Sequence, residues 1–217
     1  MNDLFKKPIT IIIVVVAILI AVGWSLIEKQ VAKNKAEEAA KAVSQATVTV
    51  TNLSNIDPAE FDESVKNEYA TANSKAMEAD PKNVFSALVV ELPGNLAVAS
   101  GNDRYIFSSA TNVSNNWTIT LSQKTGSFIR AVIPKDDYLG VLKPMDTKLW
   151  KFNYVTALQI AEKNGGKEWR EKNNAQSVTL TLMHQDTNNW LVWTVEYAAE
   201  SNKFIVKIDS NSGKVLE

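Results

Sequence analysis

Catalysis at neutral pH needs side chains that ionise or attack there, and this chain offers few of them. Its single histidine, His184, stands two residues before Asp186, a pair that could supply part of a catalytic triad. No G-x-S-x-G nucleophile elbow accompanies it, and closeness in sequence is not triad geometry, so a solvent-facing histidine at a strand end is expected. Asp136 and Asp137 are adjacent carboxylates that could do hydrolytic work or hold a metal, although they sit beside Pro134 in an apparent linker where exposed charge is ordinary. Asp57, Glu60, Asp62 and Glu63 could be drawn as a metal cluster, but negative charge is what the N-terminus of a helix favours. Asn164-Gly165-Gly166-Lys167 has a fragment of a phosphate loop without the G-x-x-x-x-G-K-[ST] frame, and it follows a helix where a strand is required. A helix stop is the expected role of Gly165 and Gly166. Asn52, Asn112 and Asn116 open N-x-S/T triplets, which matter only in a glycosylating host.

Composition narrows the chemistry further. The 217 residues contain no cysteine, so disulfides, zinc-thiolate sites, iron-sulfur clusters and thiol nucleophiles are excluded. A formal net charge of -1 argues against a nucleic-acid binder, which carries a strongly basic face. No cofactor site is expected. At 45% hydrophobic residues the chain has enough apolar surface to build a core.

The elements that must position these residues begin with an uncharged run from Pro8 to Ile27, preceded by Lys6 and Lys7. It matches the roughly 20 residues that a helix needs to cross a bilayer, and Trp24 near one end suits the headgroup layer. A retained single-pass anchor with the tail inside and the C-terminal part outside is expected for residues 1–27. A signal peptide cleaved near Ala21-Val22-Gly23 is the alternative. Lys29, Lys33, Lys35 and Lys41 after the run would by simple count reverse the orientation, but long domains translocate largely regardless of charge. Residues 28–46 are rich in Ala, Lys and Glu and read as a helical stalk, with Glu37 and Lys41 forming an i,i+4 pair.

Beyond the stalk the pattern predicts two helix-and-strand modules, 47–134 and 153–217, separated by a linker at 135–152. The first opens with the alternating run VTVTNL and a helix capped by Asp57-Pro58-Ala59-Glu60, with Phe61, Val65, Tyr69, Ala72 and Ala76 as its apolar stripe and Asp80-Pro81 as its end. Four strands follow: FSALVVEL, RYIFSSAT, WTITLS and SFIRAVIP. In the second, Asn153 caps a helix ended by Gly165-Gly166, and SVTLTLM, WLVWTVEY, KFIVKIDS and KVLE follow as strands. Asn115-Asn116-Trp117 recurs as Asn188-Asn189-Trp190, and Ser127-Phe128-Ile129 answers Lys203-Phe204-Ile205, which suggests two diverged copies of one unit. The fold class expected is α+β, an anchor and stalk followed by two small modules with helix packed on antiparallel sheet.

The helix VTALQIAEKNGG, the strand NWLVWTVEY and the hairpin FIVKIDSNSGKVLE together resemble a PepSY domain, a cystatin-like helix-on-sheet module. The Asp-x-x-x-Gly-Lys-Val ending, with Asp209 and Gly213, is its most specific part, and Gly165 and Gly166 carry the helix end. The first module resembles it only loosely, with IPKDDYLGV in place of that ending. The resemblance implies an extracytoplasmic, non-catalytic module that binds or restrains another protein, often a peptidase. The layout of tail, anchor, stalk and two modules is similar to the cell-wall elongation regulator family of Gram-positive bacteria, whose members associate with a penicillin-binding protein. It implies a peptidase or a cell-wall synthase as partner and carries over no catalytic residue. Trp117, Trp190 and Trp193 are the candidate partner-binding residues. Trp190 and Trp193 fall on opposite faces of one strand, so one belongs to the core. An envelope hydrolase using Asp136 and Asp137, and a small-ligand binder between the modules, are the alternatives.

Overall fold

In this computed structural model the described residues are 52–97, 101–109, 111–112, 114–122, 125–135, 142–185 and 190–216. The expected anchor, the stalk and the run VTVT lie outside them, as do Asp136, Asp137 and Asp186. Among the described residues no helix is long and apolar enough to cross a membrane.

The β-branched and aromatic runs form strands close to where their alternation predicts. They are β1 (Asn83–Pro93), β2 (Asn102–Ser109), β3 (Asn115–Ser122), β4 (Ser127–Pro134), β5 (Ser177–His184), β6 (Leu191–Ala198), β7 (Lys203–Asp209) and β8 (Val215–Leu216). The two expected sheets are one. The order β4-β3-β2-β1-β5-β6-β7-β8 makes a continuous eight-stranded antiparallel sheet, in which β1 of the first half pairs with β5 of the second from Ala87↔Met183 to Pro93↔Ser177. Sequence alternation sets which face a side chain takes but not which strand lies next to it, so separate and joined sheets look alike in the sequence.

Register carries a single apolar row across the whole sheet. Ile119 lies opposite Tyr105, Tyr105 opposite Leu88, Leu88 opposite Leu182, Leu182 opposite Trp193, Trp193 opposite Ile208 and Ile208 opposite Val215. Every member from Ile119 to Ile208 is fully buried. A bulge between Phe85 and Ala87 shifts the β1–β2 register by one residue, so Phe85 joins this face beside Phe107. The extra residue, Ser86, shares a hydrogen bond with Ser108 across the strands.

Helices cover that face. Helix α1 (Ala59–Ala79) buries Val65, Ala72 and Ala76, and packs Phe61 and Tyr69 on the core. Asp57 Oδ1 accepts from the N–H of Ala59 at 3.0 Å, the expected cap. Helix α2 (Tyr154–Ala161) is capped by Asn153, whose Oδ1 accepts from the N–H groups of Val155 and Thr156. The same amide donates to Pro58 O and Asp62 Oδ1, both at 2.8 Å, and so fastens the start of α2 to the start of α1. After α2 the chain does not stop at the glycine pair. It kinks through Asn164 and Gly165 and resumes as α3 (Lys167–Lys172).

The segment expected to be a linker between the halves is a core element in its described part. Trp150 lies 6.0 Å from the ring of Tyr69, 6.0 Å from Phe85 and 6.5 Å from Trp193, measured between centroids, so it touches aromatics of both halves. Met145 donates its N–H to Phe85 O at one end of the crossing, and Ser210 Oγ donates to Leu149 O at the other. The motif recurrence noted in the sequence is offset by one strand. Trp117 lies in β3, the third strand of its half, whereas Trp190 immediately precedes β6, the second strand of the other. The symmetry of the strand order pairs β3 with β7 instead.

Removing the Trp150 indole leaves a gap where the halves meet. Trp150→Ala should cost about 3 kcal/mol, less than for a fully enclosed tryptophan because part of the ring is exposed. In urea the parent protein should unfold in one transition detected alike by tryptophan fluorescence and far-UV circular dichroism, and the variant in one transition at lower urea.

Candidate binding surface

The candidate tryptophans separate by burial. Trp193 is 0% exposed, in the apolar row beneath α2, so the proposed partner-binding role is corrected to a core role. Alternation decides this: Trp193, Val195 and Tyr197 share the helix-covered face of β6. Trp190 is 47% exposed and borders a recess of about 410 Å³ with Asp209, Ser212, Lys214, Val215 and Leu216. Trp117 is half-buried near the opposite end of the sheet. The structure thus places the two accessible tryptophans on different ends and does not bring them into one site.

His184 is also corrected. It is 5% exposed, because it continues the inward set of Val178, Leu180 and Leu182 on β5. Among the described residues no group of His, Asp and Glu could hold a metal ion.

The motif residues act on the backbone. Gly165 has φ +97°, a conformation that side-chain-bearing residues rarely adopt. Gly166 is helical, and its lack of a Cβ admits the Tyr197 hydroxyl. Asp209 Oδ1 accepts from the N–H of Asn211 and of Ser212 and from Ser212 Oγ, and Gly213 at φ +72° closes the turn. These contacts account physically for the Asp-x-x-x-Gly spacing. Sequence reasoning missed Arg170, whose guanidinium grips the nearly buried Glu162 through Nε at 3.2 Å and Nη2 at 2.8 Å. Its Nη1 also reaches Gly94 O in the turn after β1. Hydrogen bonding to Glu162 raises the Arg170 pKa, which keeps the guanidinium charged. No local motif announces it, since the partners meet only after the kink at Gly165.

Two of the exposed large apolar side chains, Ile129 and Val132, lie on β4 next to Trp117. Val132 lies directly opposite Trp117, and the Arg130 guanidinium sits 5.6 Å from the Trp117 ring centroid. Ile129, on the other face of β4, is 62% exposed and Val132 is 45% exposed. Behind Trp117 a recess of about 580 Å³ is lined by Asp80, Pro81, Thr111, Asn112 and Ser114 among others. Asp80 accepts from Thr111 Oγ1 and Ser109 Oγ, both at 2.7 Å, and from the N–H of Lys82 at 2.9 Å. These bonds, that from Thr111 foremost, hold its carboxyl down to about 2. Sequence reasoning missed Ile129, Arg130 and Val132. SFIRAVIP carries apolar residues in both alternating sets of positions, so alternation does not tell which of them stay exposed.

A third recess, of about 310 Å³, lies between α1 and the crossing segment, with Tyr69 and Trp150 as walls and Lys66 and Lys151 at its mouth.

No protein-family model matches the chain, and no curated protein matches it. Among solved structures it is similar to a candidate lipoprotein from Clostridium difficile 630, at 15% identity and a TM-score of 0.46 over 76% of this chain and 96% of that one.

Two variants probe this region. The folded carboxyl of Asp80 lies below its usual 3.8, so its stabilisation is complete above that value, declines as pH falls toward about 2, and is absent below both. Asp80→Asn should therefore flatten that acid limb of the stability profile, measured by denaturant midpoint against pH. Gly166→Ala should cost about 1–3 kcal/mol, because the new methyl meets both the Tyr197 hydroxyl and the Ala161 carbonyl. Thermal unfolding of the variant beside the parent checks it.

Proposed function

We propose that the chain is a non-catalytic binding protein of the cell envelope that regulates another envelope protein, a peptidase or a cell-wall synthase of the penicillin-binding class. It is held by a single membrane span at Pro8–Ile27, with the described unit outside the cytoplasm. The observation that carries this reading is the exposed strand β4, with Arg130 and Val132 beside Trp117 and Ile129 on its other face, apolar and aromatic area of the kind that interface centres use. The uncharged N-terminal run and the PepSY-like residues VTALQIAEKNGG and FIVKIDSNSGKVLE support the location and the class.

Photo-crosslinking in intact cells tests it. A crosslinking amino acid at Ile129 should capture a peptidase or a penicillin-binding protein, and the same group at exposed Lys66 on α1 should not. Capture from neither position would overturn the proposed function, and equal capture from both would overturn the assignment of this surface. Turnover of peptidoglycan or peptides by the purified full chain would overturn the non-catalytic reading.

A further inference from the structure

Among the described residues β4 ends the sheet on one side, and its register fixes its hydrogen-bonding parity. Lys135 donates its N–H to Ser114 O, and the register runs from Asn115↔Pro134 to Ser122↔Ser127. In an antiparallel ladder, residues alternate between bonding their partner and facing away. Ser127, Ile129, Ala131 and Ile133 therefore bond β3, while Phe128, Arg130 and Val132 direct their N–H and C=O groups outward. Pro134 fits the same parity, since a residue without an N–H is tolerated where the strand has no neighbour.

Native sheets usually protect such an edge. The other end of this one is protected in part: β8 covers β7 at Lys207 and Ile208, and the uncovered part of β7 carries Lys203, paired with Glu196, beside a partly exposed Ile205. At β4 the protection is weak. Ile129 and Val132 expose apolar surface on the two faces, and the Arg130 side chain is folded over Trp117 instead of standing across the edge.

The geometry points to β4 as a docking edge for an extended segment of the partner protein, which adds as a further strand on Phe128, Arg130 and Val132. This rests on the reading of the chain as a binding protein. Charge selects the occupant. Arg130 stands at the centre of the outward set with no carboxylate in salt-bridge distance among the described residues, and an acidic residue opposite it would complete the pair. A second copy of this chain is disfavoured by the same charge, because antiparallel pairing of two β4 edges that uses all three outward residues sets Arg130 against Arg130. The segment is thus apolar at positions flanking Ile129 and Val132, acidic between them, and about the length of an ordinary strand.

The full chain in detergent micelles is titrated with a peptide of about seven alternating valines and threonines with a central glutamate, and with its central-lysine counterpart. Amide exchange is read residue by residue. The glutamate peptide should slow exchange at Phe128, Arg130 and Val132 by about tenfold or more, the lysine peptide should do so far less, and Arg130→Glu should reverse the preference, tenfold corresponding to about 1.4 kcal/mol. Val132→Pro should abolish the protection while leaving the β3–β4 ladder intact, since the N–H it removes faces outward; circular dichroism confirms that the variant is folded. Equal protection by both peptides, protection outside β4, or none would overturn the edge proposal. In cells, crosslinking from Ile129 that survives Val132→Pro would overturn the edge and leave the proposed function standing. Loss of all capture in the parent protein would instead sink the function.

Discussion

The pairing of β1 with β5 is the constraint on which the rest of the structure depends. It joins halves that are far apart in sequence into one sheet, and it leaves no internal edge to be covered. Once Leu88 lies opposite Leu182, the apolar positions of all the strands fall into register, and their shared face needs one cover of helices rather than two. Closing such a long-range contact is entropically unfavourable, so it must be offset by burial. The fully buried row from Ile119 to Ile208 supplies that burial.

Three other contacts reinforce the join. Trp150 lies between Tyr69 and Phe85 of the first half and Trp193 of the second. Asn153 spends its carbonyl on capping α2 and its amide on the start of α1. Arg170 neutralises Glu162 near the core and reaches the turn after β1. A buried ion pair of this kind adds little net stability, because desolvation offsets attraction, but breaking it would strand a charge. Its service is to fix where α3 sits.

The same join explains where exposed edge is left. Pairing through β1 and β5 sends β4 to one end of the sheet and β7 with the short β8 to the other. The second end is partly covered by its hairpin and carries Lys203, whereas β4 keeps an outward row of backbone groups and apolar side chains on two faces. The proposed docking edge therefore rests on topology more than on any motif.

Much of the fold is legible in the sequence because it is decided locally. The caps Asp57 and Asn153, the positive-φ turns at Gly165 and Gly213, the Asp209 turn and nearly all strand limits depend on residues within a few positions of one another, as does the face each side chain takes. Neighbours across the sheet are not decided locally. The joining of two expected sheets into one, the conversion of a linker into a core segment around Trp150, the burial of His184 and Trp193, and the exposure of SFIRAVIP all depend on which strand lies beside which. Alternation says only that a side chain points up or down; tertiary structure decided whether something lies there to meet it, because burial belongs to pairs of distant segments and not to either one alone.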